Sequence, residues 1–140
     1  MSEPRRWGLA AEAAGWLVLA GLALRLTTFA RLAAAAGRPQ EHGRGGDPAA
    51  AAADIGWAVD AAARRAPWTP RCFERGLAAH FMLRRRGWDP TLCYGARSDD
   101  SLGPSAHVWV RLEGRDVIGG EEAPRFAELA RFPERPGEAH

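Results

Sequence analysis

Lysine is absent from this chain, and all 19 basic side chains are arginine. Alanine is abundant in return, which fits a GC-rich coding sequence and assigns no function. An excess of one charge is missing too. The 19 basic and 17 acidic residues leave a net charge of +2. The strong basic stripe of a nucleic-acid binder is therefore not there, and no nucleic-acid partner is expected. Cysteine is scarce, with only Cys72 and Cys93. A secreted disulfide scaffold would carry more, at tight spacings. No four-ligand zinc spacing exists either. A reducing cytoplasm is the expected setting, with no metal or other cofactor.

A long apolar run is also lacking. Ala13 to Leu24 reads AAGWLVLAGLAL between Glu12 and Arg25, short of the roughly 20 apolar residues a membrane-crossing helix needs. Arg5 and Arg6 precede it as in a signal peptide. The helical pattern nevertheless continues through Leu26, Phe29 and Leu32, where a cleavage site should lie. A buried or surface-docked helix is the expectation, and membrane contact or export is the alternative.

What is present suffices for one folded domain. The chain has 140 residues, of which 46% are hydrophobic, enough to bury a core. Residues 1–42 read as an N-terminal helical segment of one long helix or two short ones, 43–48 as a linker, 49–132 as the main domain and 133–140 as a flexible tail. Asp47-Pro48 is a helix start, with an N-cap followed by proline at the first position. That helix runs to about Arg65, and Thr69-Pro70 repeats the signal for a third, from Pro70 to about Arg86, closed by Gly87. The pattern then changes. Thr91–Gly95 reads as a strand, 97–105 as a polar loop, and His107–Leu112 and Arg115–Ile118 as a hairpin turned at Glu113-Gly114. A short helix is predicted over Pro124–Arg131. Helices followed by a small antiparallel sheet make an α+β chain.

The chemistry centres on Cys72 and His107. With Thr69 as cap, Cys72 falls at about the third helical position, where free N–H groups and the helix dipole favour a thiolate. Arg71 and Arg75 push the same way. A free cysteine is more often a small buried hydrophobe, and Cys93, within a strand and away from any helix terminus, is read as that. His107 opens the strand HVWVRL after a polar loop, and imidazole suits the role of base to a thiol. His80 is read as a packed side chain, and His42 and His140 fall in flexible segments.

Two stretches, RAPWTPRCFERGLAAHFMLRRRGW (65–88) and AHVWVRLEGRDVIGGEEAPRFAELARF (106–132), resemble the transglutaminase-like cysteine peptidases of lasso-peptide biosynthesis. The shared pattern is a tryptophan shortly before a cysteine at a helix start, an arginine-rich helix end with glycine, and a His-x-Trp-Val strand with a short hairpin. The resemblance covers roughly residues 50–132, and the N-terminal helix resembles the helical leader of full-length members. It implies a papain/transglutaminase-like core with helices packed on the sheet. By position it implies Cys72 as nucleophile and His107 as base. It also implies a function: removal of the leader from a ribosomally made precursor peptide, with a separate leader-recognition protein and a macrolactam-forming ligase as partners.

The third member of the triad departs from the pattern. Related triads carry an aspartate about a dozen residues after the histidine, and here that region reads Ile118-Gly119-Gly120. Hairpin pairing sets Arg111 against Asp116 and His107 against Gly120, which leaves Asp116 roughly 13 Å along the strand from His107. Glu121, the nearest carboxylate by chain, or Glu122 would then have to reach back across a bend at the paired glycines, or a backbone carbonyl would orient the ring. A triad with Glu121 and a Cys–His dyad both stand. A non-catalytic peptide-binding module and another amide acyl-transfer enzyme are the rival functions.

Overall fold

In the computed structural model, which describes residues 3–36, 46–99 and 103–133, four helices precede a four-stranded antiparallel sheet. The helices are α1 (Glu3–Leu26), α2 (Phe29–Ala36), α3 (Pro48–Arg65) and α4 (Cys72–Arg85). The strands are β1 (Thr91–Asp99), β2 (Gly103–Leu112), β3 (Arg115–Ile118) and β4 (Ala127–Phe132), in the order β3-β2-β1-β4. This is the α+β arrangement the sequence led to expect. Residues 43–45 of the expected linker and 134–140 of the expected tail, with His42, lie outside the described residues.

The N-terminal segment forms two helices, and α1 joins the same core as α3 and α4. Leu9, Ala13, Leu17 and Ala20 recur every three or four residues and are buried in one cluster with Ile55, Val59, Leu77 and Met82. Small side chains in this stripe let α1 lie close to its neighbours. Its polar positions are tied down as well. Glu12 accepts hydrogen bonds from both terminal nitrogens of Arg86, at 2.9 and 2.7 Å. Trp16 stacks on Phe81 at 5.5 Å. Arg6 lies over Trp57, and Arg65 over Trp7. Counted over the whole helix, α1 is long and apolar enough to cross a membrane by length and composition, more so than the Ala13–Leu24 run alone suggests. Leu19, Leu22 and Leu26 remain exposed.

Local signals set most boundaries. Asp47 caps α3 by accepting from the amide of Ala49 at 3.0 Å, a contact of the kind that contributes about 1 kcal/mol. Gly87 takes a left-handed φ of 85° after α4. Glu113 and Gly114, with φ of 49° and 81°, make the expected tight turn between β2 and β3.

Three expectations are corrected. α4 starts at Cys72 rather than at Pro70, because Glu74 turns back to accept from the Arg71 amide at 3.3 Å and from Trp68 Nε1 at 3.0 Å. Thr69 and Pro70 are left outside the helix. The loop expected over 97–105 is in large part hairpin: Arg97 pairs with Ser105 and Asp99 with Gly103. The helix expected over Pro124–Arg131 is a single 3-10 turn, Ala123–Arg125, followed by β4, which pairs with the open edge of β1.

Candidate active site

Two glycines bring the helices down onto the sheet at one place. Gly76 sits one turn after Cys72, and a Cβ there would stand 2.6 Å from Val108 Cγ1. The N-terminus of α4 can therefore settle against β2 beside His107. On α3, a Cβ at Gly56 would overlap the Val117 carbonyl oxygen, so α3 presses on β3 and carries Asp60, one turn on, to the same place. A cavity of about 180 Å³ lies there, lined by Asp60, Cys72, Arg75, His107, Gly119 and Glu121 among others. All three residues singled out from the sequence, Cys72, His107 and Glu121, thus come to one cavity.

Cys72 is the first residue of α4 and is partly buried. Burial pushes its thiol above the ordinary value. Hydrogen bonding to the backbone of Val108, Phe73 and Cys72 itself, and the charge of Arg75, pull it back only in part. The helix terminus was expected to favour the thiolate; desolvation outweighs it and moves the thiol the other way. Cys93 behaves as expected of a core residue. It is fully buried in β1, and burial pushes its thiol up to about 12.

His107 is buried at 9% exposure, and its Nε2 lies 2.9 Å from the Gly119 carbonyl oxygen. A carbonyl only accepts, so the neutral ring is assigned a proton on Nε2, and Nδ1 is left as the acceptor. Gly119 is twelve residues beyond His107, the place where related triads put their aspartate. Its φ of 77° turns the chain out of the sheet, and a Cβ there would stand 2.9 Å from the Val108 carbonyl oxygen and 3.2 Å from His107 Nε2. The ring also stacks on Trp109, at 5.8 Å, and on Phe126, at 5.1 Å.

The hairpin register explains how Gly119 arrives. Leu112 pairs with Arg115 and Arg111 with Asp116, as the turn dictates, but Val110 then pairs with Ile118. The extra residue is Val117, the one pressed by Gly56. The bulge therefore lies before the glycine pair rather than in it. Asp116 pairs with Arg111 at 3.7 Å on the exposed hairpin and is not among the cavity residues. Glu121 reaches the cavity, but the bond expected of it at the imidazole is made by Gly119, through the backbone. Glu121 instead faces Asp60, whose carboxyl is pushed up chiefly by burial and further by the Glu121 charge, against the pull of Arg75 and Arg64.

Asp60 and Phe126 were not anticipated. Asp60 carried a signal of sorts, standing one turn beyond a glycine on an alanine-rich face. Phe126 had none, because its segment reads as helix. A thiol at a helix start and an oriented imidazole lining one cavity form a set capable of nucleophilic acyl transfer. Neither the curated proteins nor the solved structures contain a match to this chain. The family model described as the transglutaminase-like superfamily, whose members are generally cysteine peptidases or acyltransferases, matches residues 16–131, from the middle of α1 through β4. The chain belongs to the transglutaminase-like superfamily.

Proposed function

We propose that the protein is a cysteine peptidase that removes the leader from a ribosomally made precursor of the lasso-peptide kind. The observation that carries the reading is the meeting of Cys72 and His107 in one cavity, with the ring held by Gly119 so that Nδ1 is its acceptor. In this reading Nδ1 takes the thiol proton as sulfur attacks the scissile carbonyl. The tetrahedral adduct collapses to a thioester as the proton passes to the leaving amine. Water, deprotonated by the same nitrogen, then releases the leader and returns the thiol. The partners are the precursor, a separate leader-recognition protein and a macrolactam-forming ligase, and the setting is the cytoplasm. A groove of about 540 Å³ walled by Leu24, Phe29, Trp68 and Phe73 offers apolar surface to a peptide.

The test is incubation of the full chain with a candidate precursor, with and without the leader-recognition protein, read by mass spectrometry. Cleavage that is weak alone, strong with the second protein and lost in Cys72→Ala is expected. Full cleavage by the isolated chain at low micromolar precursor would remove the recognition partner from the proposal. Cleavage that survives Cys72→Ala would overturn it. The burial of Cys72, which raises its thiol, keeps a second reading, a peptide-binding module without catalysis. In that case the thiol would show no dependence on His107.

A further inference from the structure

We infer that Phe126 is a positioning residue for His107, and that its ring, with Trp109 and the Gly119 carbonyl, takes the orienting role that a carboxylate holds in other thiol triads. This rests on Cys72 and His107 acting as a pair, as proposed above.

One hydrogen bond does not fix an imidazole. The contact from Nε2 to Gly119 anchors one ring atom and assigns the tautomer, but leaves the ring free to swing about that point. A carboxylate with two oxygens and a rigid backbone behind it restrains more. Here the missing restraint comes from the ring faces. Phe126 stacks on His107 with an interplanar angle of 26°, and Trp109 with an angle of 21°. Both need Gly95, the residue paired with His107 across the β1–β2 ladder. A Cβ at Gly95 would stand 2.9 Å from Trp109 Cη2 and 3.0 Å from Phe126 Cβ. The Arg97 guanidinium lies 5.2 Å from the centre of the Phe126 ring and steadies it.

The carbonyl and Phe126 are also joined through the backbone. The Gly119 oxygen accepts from the Glu122 amide at 3.4 Å, Gly120 from Ala123 at 3.2 Å, and Ala123 from Phe126 at 3.1 Å. Residues 119–126 therefore carry both restraints on the imidazole in a single hydrogen-bonded turn. When Nδ1 takes the proton from Cys72, the ring becomes a cation against two aromatic neighbours, an arrangement that favours positive charge. No carboxylate is needed at Nε2 for either purpose.

The test uses the full chain carrying Cys93→Ala, so that Cys72 is the reporting thiol, with iodoacetamide as the probe. His107→Ala should slow alkylation near neutral pH by about tenfold or more, as loss of the base requires. Phe126→Leu should slow it by about tenfold, while Phe126→Tyr, which keeps the ring, should stay within about twofold. The side chain is half-buried, so the leucine variant is expected to fold. Arg97→Ala, which loosens Phe126 and also gives up a bond to Ser105, should give a smaller loss of the same kind. Nitrogen-15 spectra of the imidazole supply a readout that a merely structural role would not move. The parent and the tyrosine variant should show a single tautomer protonated at Nε2, and the leucine variant an average of two. A folded Phe126→Leu protein with unchanged alkylation and a single tautomer overturns the inference. If His107→Ala itself leaves alkylation unchanged, the pairing of Cys72 with His107 fails, and the inference falls with it.

Discussion

The Gly119 carbonyl oxygen stands 2.9 Å from Nε2 of His107, twelve residues along the chain, where a carboxylate would complete a related triad. Backbone thus replaces side chain. The replacement gives Nε2 a partner that accepts a hydrogen bond but cannot titrate. The orienting contact therefore persists at every pH at which the chain is folded. An aspartate in this role would lose it on protonation.

Gly119→Ala should damage the site more than any change of nearby charge. The residue holds a φ of 77°, and an added methyl would press on the Val108 carbonyl and on the His107 ring itself. An alanine forced to positive φ costs about 1 kcal/mol before any clash. The expected outcome is a melting temperature lower by several degrees and a Cys72 alkylation rate near that of His107→Ala. A stable variant with a normal rate would show that the carbonyl is dispensable.

Glu121→Gln should change activity by no more than about threefold, since the ring's hydrogen bond is made elsewhere and loss of a supporting charged bond would cost nearer tenfold. Asp116→Asn, at an exposed ion pair with Arg111, should be as mild. Rate measurements on both proteins decide whether either carboxylate supports His107. A large loss at Glu121 alone would restore it as the third member of the triad.

Much of this was written locally in the sequence, and what was not depended on distant partners. Asp47-Pro48 and Glu113-Gly114 act through bonds spanning two to four residues, so the start of α3 and the β2–β3 turn were readable. The strand Ala127–Phe132 was not. Its spacing suits a helix, and it becomes a strand because β1 offers a free edge more than thirty residues earlier, with Gly95 against Glu128. The bulge at Val117 follows from the approach of Gly56 on α3, again a distant event. Cys72 and His107 were legible as residue types in a recognisable setting. The direction in which the Cys72 thiol shifts was not, because burial at the cavity is a property of the assembled fold.

Docking of α1 should depend on Glu12. Its carboxylate is held below the ordinary range, chiefly by hydrogen bonding to Arg86, with that residue's charge, Trp16 and Arg85 adding to the effect against burial. A depressed carboxylate contributes stability that is present above its unfolded value of about 4.5 and is lost as pH falls through the folded value. Glu12→Gln should lower the unfolding free energy at neutral pH by about 1.5–3 kcal/mol, the scale of charged hydrogen bonds that are partly buried. The difference between variant and parent should shrink as pH falls below 4.5 and the parent carboxylate takes up its proton. Denaturant midpoints across that range measure it. A constant difference would mean that shape, not charge, holds Glu12 in place.

The two thiols should separate by pH in a way that reports their surroundings. Burial raises both, Cys93 to about 12 and Cys72 in the same direction. The nucleophilic form is the thiolate, so a raised thiol reacts less at neutral pH and more as pH climbs. Iodoacetamide labelling of Cys72 should therefore be slow and dependent on His107 near neutral pH, then keep rising through pH 9 instead of levelling off below 8. Cys93 should stay unlabelled over the same range while the protein is folded. Its raised value also has a consequence for stability. The folded state holds the Cys93 proton where the unfolded state, with an ordinary value of 9.0, releases it. That contribution is fully present below the unfolded value and is lost as pH rises from there toward 12. Cys93→Ala should accordingly soften the alkaline fall in melting temperature while leaving labelling of Cys72 unchanged. Peptide mapping of the labelled sites at each pH separates the two thiols. A plateau in Cys72 labelling below pH 8 would instead mark a resting thiolate, with the α4 terminus and Arg75 outweighing burial.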